Sequence, residues 1–104
     1  MTFDEIRDKI KNNNFIISQH AFIESAKEKI EDEDIRYAIL NGAVIEAYPE
    51  DTRGSSLLVS GKIRDGKPLH VVLGIALDEP VIITVYIPSP PKWKSPTERG
   101  GSRK

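Results

Sequence analysis

His70 and Tyr86 form the clearest candidate pair for proton transfer in this chain of 104 residues. His70 lies in "KPLHVVLGI" and Tyr86 in "VIITVYI", and such runs of β-branched and aliphatic residues are typical of strands. A loop over residues 77–79 would set the two side chains directly opposite each other in an antiparallel pair. Two interpretations follow: an ordinary cross-strand contact on a half-wet sheet face, or a histidine that shuttles protons beside a tyrosine donor.

His20 is a second candidate for acid–base chemistry. It follows Ser18, the predicted N-cap of a helix, and so falls in the first turn of that helix. The exposed backbone N–H groups of that turn disfavour a protonated imidazole, because the N-terminal end of a helix carries partial positive charge. His20 therefore suits either a neutral general base or an ordinary capping or surface position.

A basic cluster surrounds two predicted turns of the body. Its members are Arg53, which precedes Gly54 in "PEDTRGSS", and Lys62, Arg64 and Lys67. Such a cluster either grips a phosphate backbone or is a scatter of solvated charges around a hairpin.

The composition excludes several classes of chemistry. The chain has no cysteine, which excludes disulfides, thiolate catalysis and cysteine-ligated zinc. Its two histidines are too few for a histidine-rich metal site, so we expect neither a metal nor another cofactor. The net charge is −1, and residues 92–104 are basic while the body before them is acidic. An acidic body argues against a general nucleic-acid coat, which needs a basic face to capture phosphates.

The length predicts one small domain, residues 1–93, followed by a basic, flexible tail over residues 94–104. In "PSPPKW" the prolines stiffen the chain, which lowers the entropy lost when Trp93 packs back against the domain. The N-terminus has no apolar leader, and no segment approaches the roughly 18 apolar residues of a membrane span. We therefore expect a cytoplasmic protein without a membrane partner.

Periodicity predicts an α+β fold with two or three N-terminal helices. The signals that mark these helices are Thr2 and Glu5 at capping-box spacing, Ser18 as an N-cap, and Asn41–Gly42 as a left-handed stop. The pattern then becomes extended and predicts four strands, "AVIEAY", "SSLLVSGKI", "LHVVLGIAL" and "VIITVYI", with a turn at Asp65–Gly66. This order predicts a four-stranded, mainly antiparallel sheet with the helices packed on one face.

Alternation along the last two strands predicts which side chains face the helices. The odd-numbered positions are expected to face them, namely Leu69, Val71, Leu73, Ile75, Leu77, Val81, Ile83, Val85 and Ile87. The even-numbered positions are expected on the other face, namely His70, Val72, Gly74, Ile82, Thr84 and Tyr86. The candidate histidine and tyrosine are therefore predicted on the less buried face.

The order of motifs over residues 17–93 resembles a known family. "SQHAFIESAKEKIEDEDIRYAILNGAVIEAYPEDTRGSSLLVSG" is followed by "KPLHVVLGI", "IITVYIP" and "KW". This order is similar to the small bacterial domain-of-unknown-function family 4258. That family in turn resembles small bacterial toxins of the RelE, BrnT and MqsR kind, which have a helix-then-sheet ribonuclease architecture.

The resemblance implies a RelE-like toxin architecture, metal-independent RNA cleavage and a cognate antitoxin protein as partner. Cleavage by the 2′-hydroxyl needs a base, an acid and cations at the phosphate, and His20, His70 and Tyr86 would be the catalytic residues. The residues expected to bind the RNA are Arg53, Tyr48, Thr84, Lys62, Arg64 and Lys67. The alternative is a non-catalytic module that binds a protein with the same polar sheet face and the C-terminal hook.

Overall fold

Three helices form the N-terminal part of the chain in the computed structural model, which describes residues 1–50, 52, 54–90 and 92–100. They are α1 (Phe3–Lys11), α2 (Gln19–Lys27) and α3 (Asp32–Leu40). The capping box predicted at Thr2 and Glu5 is confirmed, with both reciprocal hydrogen bonds formed. Ser18 Oγ accepts from the Ala21 backbone N–H, which confirms the predicted N-cap of α2. No helix among the described residues is long and apolar enough to span a membrane.

The predicted left-handed stop of α3 is wrong. Asn41 has φ −112° and ψ 8°, and Gly42 does not adopt a positive φ. Gly42 is needed because of space: a Cβ atom there would lie 2.4 Å from the Ala38 carbonyl oxygen and 2.6 Å from that of Ser60. Glycine therefore lets the end of α3 approach the sheet closely.

The chain also forms one sheet of five strands, of which the first lies between α1 and α2 in the sequence and the other four follow α3. The strands are β1 (Ile16–Ile17), β2 (Ala43–Tyr48), β3 (Ser56–Lys62), β4 (Pro68–Gly74) and β5 (Val81–Tyr86), in the order β1-β5-β4-β3-β2. The four predicted strands pair antiparallel, as expected. The predicted count of four is wrong, because β1 adds a fifth strand parallel to β5. With two residues, β1 is too short to give a periodic signal.

The core lies between the helices and one face of the sheet. Its largest members come from both layers, namely Ile6, Ile10, Ile35, Ile39, Leu69, Leu73 and Ile82. Alternation along the strands places a second set on the opposite face, which we call the outer face, namely Glu46, Tyr48, Ser60, His70, Val72, Gly74, Thr84 and Tyr86.

Part of the predicted facing pattern is wrong because of a β-bulge between β4 and β5. Val72 pairs with Thr84, but Leu73 pairs with Ile82, so the register shifts by one residue between them. Ile82 is therefore fully buried in the core rather than on the outer face. Val81, which pairs with Gly74, and Ile83 instead line a cavity at the outer face, so the prediction that they face the helices is wrong.

Leu77 also departs from the predicted pattern. It lies beyond the end of β4 in the loop to β5, and 62 % of its surface is exposed. Strand alternation therefore does not extend to this residue.

A hairpin that is separate from the five-stranded sheet packs on the outer face. It consists of β6 (Trp93–Ser95) and β7 (Glu98–Arg99), which pair only with each other. The sequence places the end of the domain after Trp93, and the structure continues regular strands beyond that boundary to Arg99. Residues 101–104 of the predicted tail lie outside the described residues.

Candidate functional site

His70 and Tyr86 lie directly opposite each other on β4 and β5, as the sequence predicts. The Tyr86 hydroxyl lies 3.1 Å from His70 Nδ1, and the two rings meet edge to face with centroids 5.1 Å apart. The bulge that shifts the register begins beyond Val72, so it leaves this pair in place. The structure thus brings together two of the three predicted catalytic residues.

The hydrogen bonds of His70 fix its tautomer. Its Nε2 lies 2.5 Å from the carbonyl oxygen of Pro96. A carbonyl oxygen can only accept, so Nε2 carries the proton, and Nδ1 of the neutral ring accepts from the Tyr86 hydroxyl. His70 is fully buried. Burial lowers the pKa of His70 and raises the pKa of Tyr86, so both side chains are held neutral.

Trp93 covers His70 from the solvent side. Its indole is 2 % exposed and meets the imidazole at 88°, with the ring centroids 4.4 Å apart. The prediction that Trp93 packs against the domain is confirmed. Its Nε1 is buried, and the indole interacts with the Tyr86 hydroxyl. On the indole lies the guanidinium of Arg99, with Cζ 4.6 Å from the ring centroid.

Arg99 also joins the hairpin to β2 through Glu46. Nε and Nη2 of the guanidinium each donate to a different Glu46 oxygen at 2.8 Å, and the Tyr48 hydroxyl donates to Oε1 of the same carboxylate. The Arg99 hydrogen bonds lower the pKa of Glu46 to about 2. Burial, and then the neighbouring carboxylate, raise the pKa of Tyr48 to about 12. The carboxylate is thus ionised and the phenol protonated over the neutral range.

These contacts join six side chains into one connected group, which we call the covered cluster: Glu46, Tyr48, His70, Tyr86, Trp93 and Arg99. Sequence reasoning missed Glu46 and Arg99 as site residues. The available signal was Glu46, the one charged residue in the apolar stretch "AVIEAY". A charge inside a strand requires a partner when the strand surface is covered.

His20 lies in the first turn of α2, beside the end of the outer face that is away from the covered cluster. It is exposed, and it lines a mostly apolar cavity of about 390 Å³, which we call the edge cavity: Ser18, His20, Gly74, Ala76, Leu77, Val81 and Ile83. Ser18 is already engaged, because its Oγ accepts from Ala21 N–H and donates to the Ile83 carbonyl at 2.8 Å.

The structure does not bring the two histidines together. Gly74, another residue of the edge cavity, is four residues along β4 from His70. Four residues of strand span about 13 Å, so the edge cavity and the covered cluster lie at different positions along the strand.

The predicted RNA-binding residues are scattered. Arg64 Nε donates to Asp34 at 2.8 Å and Nη2 to Glu31 at 2.5 Å, so Arg64 pins the β3–β4 turn to α3. Lys62 and Lys67 are exposed near that turn. Of the others, Tyr48 belongs to the covered cluster, Thr84 is half-buried beside Val72, and Arg53 lies outside the described residues.

A family model described as Domain of unknown function (DUF4258) matches residues 17–87. The match covers more than half of the chain, and the chain therefore belongs to this family, as its sequence resemblance predicted. The matched segment contains both His20 and the His70–Tyr86 pair and ends before the β6–β7 hairpin. No curated protein and no solved structure matches the chain.

Proposed function

From this family membership, we propose that the chain is a metal-independent endoribonuclease with RelE-like architecture, the toxin of a bacterial toxin–antitoxin pair. The observation that supports the proposal is the hydrogen-bonded pair of His70 and Tyr86, held neutral on the outer face beside Tyr48 and Glu46. A neutral imidazole is the form that can take a proton from the 2′-hydroxyl of RNA.

Tyr86 suits the role of a positioning residue for the His70 ring. Its hydroxyl can donate to Nδ1 or accept from it, so it supports both neutral tautomers of the imidazole. When the proton resides on Nδ1 and points to Tyr86, the lone pair of Nε2 is free to act as the base. The hydroxyl thereby fixes the ring while its protonation changes.

The proposed reaction uses His70 as a proton shuttle. Nε2 takes the 2′-hydroxyl proton as the bond between the 2′-oxygen and phosphorus forms. The bond between phosphorus and the 5′-oxygen then breaks, and the imidazolium returns the proton to the leaving 5′-oxygen. The products are a 2′,3′-cyclic phosphate and a 5′-hydroxyl. His20 and the edge cavity hold a flanking nucleotide.

The test measures RNA cleavage by the purified protein and growth arrest on its expression. His70→Gln keeps a polar side chain of similar size without a base of suitable pKa, and we expect it to slow cleavage by about 10² or more. Tyr86→Phe should slow cleavage less, because it removes only the hydroxyl that fixes the ring. Tyr37→Phe, an exposed tyrosine on α3, is the matched control and should cleave like the wild type. Co-expression of the cognate antitoxin should restore growth.

A second function, a non-catalytic module that binds a protein, is favoured by one observation. Both ring nitrogens of His70 are hydrogen-bonded and the ring is fully buried. His70 and Tyr86 can therefore have the purely structural role of holding the hairpin on the sheet. Under this alternative neither the wild type nor any variant cleaves RNA, and His70→Gln only loosens the hairpin. If neither the wild type nor a variant with a loosened hairpin cleaves RNA or arrests growth, the endoribonuclease proposal is wrong.

A further inference from the structure

We propose that the β6–β7 hairpin is an autoinhibitory strap that occupies a nucleotide subsite on the outer face, with the Trp93 indole in place of a base and the Pro96 carbonyl in place of a phosphate oxygen. The ligand of this subsite is single-stranded RNA. The inference deepens the proposed function and rests on it, because it concerns access of RNA to His70.

The polar contacts of the strap resemble those that hold a phosphate. The Pro96 carbonyl oxygen accepts from His70 Nε2 at 2.5 Å and from Ser60 Oγ at 3.2 Å. Ser60 and His70 are direct partners on β3 and β4, so their two donors converge from neighbouring strands. A non-bridging phosphate oxygen is an acceptor that fits the Ser60 hydroxyl, and His70 Nε2 is then available to the neighbouring 2′-hydroxyl.

The indole of the strap occupies the space in which a base would lie against His70. It meets the imidazole nearly at right angles, with a centroid distance of 4.4 Å. Arg99, whose Cζ lies 4.6 Å from the indole centroid, belongs to the strap itself, so His70 is the ring that remains when the strap leaves. A nucleobase is a flat ring that can occupy the same space against the imidazole.

The strap can leave without dismantling the domain. Its two strands pair with each other and donate no ladder hydrogen bonds to the five-stranded sheet. The family match covers residues 17–87, and the strap follows it in the chain. Its described ionic anchor is the Arg99–Glu46 pair, in which the two side chains are 48 % and 26 % exposed. An anchor this accessible to solvent contributes modestly and is readily exchanged.

Binding of a short, fluorescein-labelled 2′-O-methyl RNA tests the strap separately from catalysis, because this oligonucleotide cannot be cleaved through its 2′-oxygen. The variant is Arg99→Ala, which removes the anchor. Lys94→Ala is the matched control, since it deletes one positive charge from an exposed position of the same hairpin. Fluorescence anisotropy reports RNA binding, and acrylamide quenching of Trp93 reports whether the strap is open.

We expect Arg99→Ala to increase quenching of Trp93 and to bind the RNA about threefold to tenfold more tightly, because a larger fraction of the protein is open. The direction is diagnostic, since losing a positive charge by itself weakens RNA binding. Lys94→Ala should leave quenching unchanged and bind the same or less tightly. Adding saturating RNA to the wild type should also make Trp93 accessible to acrylamide.

Two results would overturn the strap. One is increased quenching in Arg99→Ala with RNA binding no tighter than in Lys94→Ala, since the uncovered surface would not bind RNA. The other is a protected Trp93 even in the double variant Ser60→Ala with Arg99→Ala, which also removes a donor to Pro96. Cleavage of ordinary RNA is assayed in parallel. Tighter binding by Arg99→Ala without cleavage by any variant upholds the strap and refutes the endoribonuclease.

Discussion

One histidine, His70, belongs to the outer face of the sheet, and the other, His20 on α2, lies beside the far end of that face; the two side chains have opposite surroundings. His70 in the covered cluster is fully buried, with both ring nitrogens bonded. His20 at the edge cavity is exposed, and its neighbours are mostly aliphatic. The same residue type is therefore buried and hydrogen-bonded under the β6–β7 hairpin and exposed in the first turn of a helix.

Two local features produce this difference. The strap covers the row of the sheet that contains Ser60, His70 and Tyr86. Its Pro96 carbonyl accepts hydrogen bonds from Ser60 and His70 there. The bulge in β5 turns aliphatic side chains outward at the other end, and Gly74 leaves space in front of them. One end of the face is therefore polar and filled, while the other is apolar and open.

The largest expected effect comes from removing each histidine in turn. His70→Ala should lower the free energy of unfolding by about 3 kcal/mol, because it leaves a cavity and deprives Tyr86 and Pro96 of their hydrogen-bond partner. His20→Ala, the matched change at an exposed site, should stay within about 0.5 kcal/mol of the wild type. Urea unfolding followed by far-ultraviolet circular dichroism measures both. Equal losses in the two variants would contradict the contrast between the two ends.

Acid titration should separate the covered cluster from the rest of the molecule. The pKa of His70 is lowered from 6.5 by burial, so below about pH 6.5 the unfolded chain binds more protons and the free energy of unfolding falls. The pKa of Glu46 is lowered to about 2 by Arg99, so a second loss runs from about pH 4.5 towards pH 2. After screening by solvent, we expect this second loss to be about 1–2 kcal/mol.

Two variants assign these two windows of pH. His70→Gln should remove most of the upper loss of stability, because it removes the imidazole whose pKa is lowered. Glu46→Gln should reduce the lower window but not abolish it, because the Arg64 hydrogen bond also lowers the pKa of Asp34. Urea unfolding at a series of pH values measures the two losses. An upper window that persists in His70→Gln would show that another group controls it.

The fold was predictable wherever a local pattern determines it. The caps at Thr2 and Ser18 and the opposition of His70 to Tyr86 follow from spacing and strand alternation, and the structure has all of them. The bulge was not predictable, because residues 81–83 are all β-branched and apolar, and alternation gives no signal in such a run.

The candidate site was only partly predictable. Trp93 was identified from its proline-rich approach, and its docking follows from the gain in burying an indole. The Glu46–Arg99 pair joins a strand to a tail residue 53 positions away, and no spacing rule relates two such positions. The family resemblance also suggested two cooperating histidines, whereas the structure places His20 on α2 beside the edge cavity and His70 in the covered cluster. Contacts between distant segments are determined by packing, which the sequence pattern does not contain.

The smallest expected effect concerns the edge cavity, through Gly74→Ala. The added Cβ atom would lie 3.1 Å from Cδ1 of Ile83, the end of a flexible side chain that can move by a few tenths of an ångström. The cost should therefore stay below about 1 kcal/mol, and the methyl group should occupy part of the cavity. Because the edge cavity is proposed to hold a flanking nucleotide, we expect a higher KM for RNA and an unchanged kcat. A fall in kcat at constant KM would show that this end of the face acts on the chemistry at His70 and would remove the contrast between the two ends.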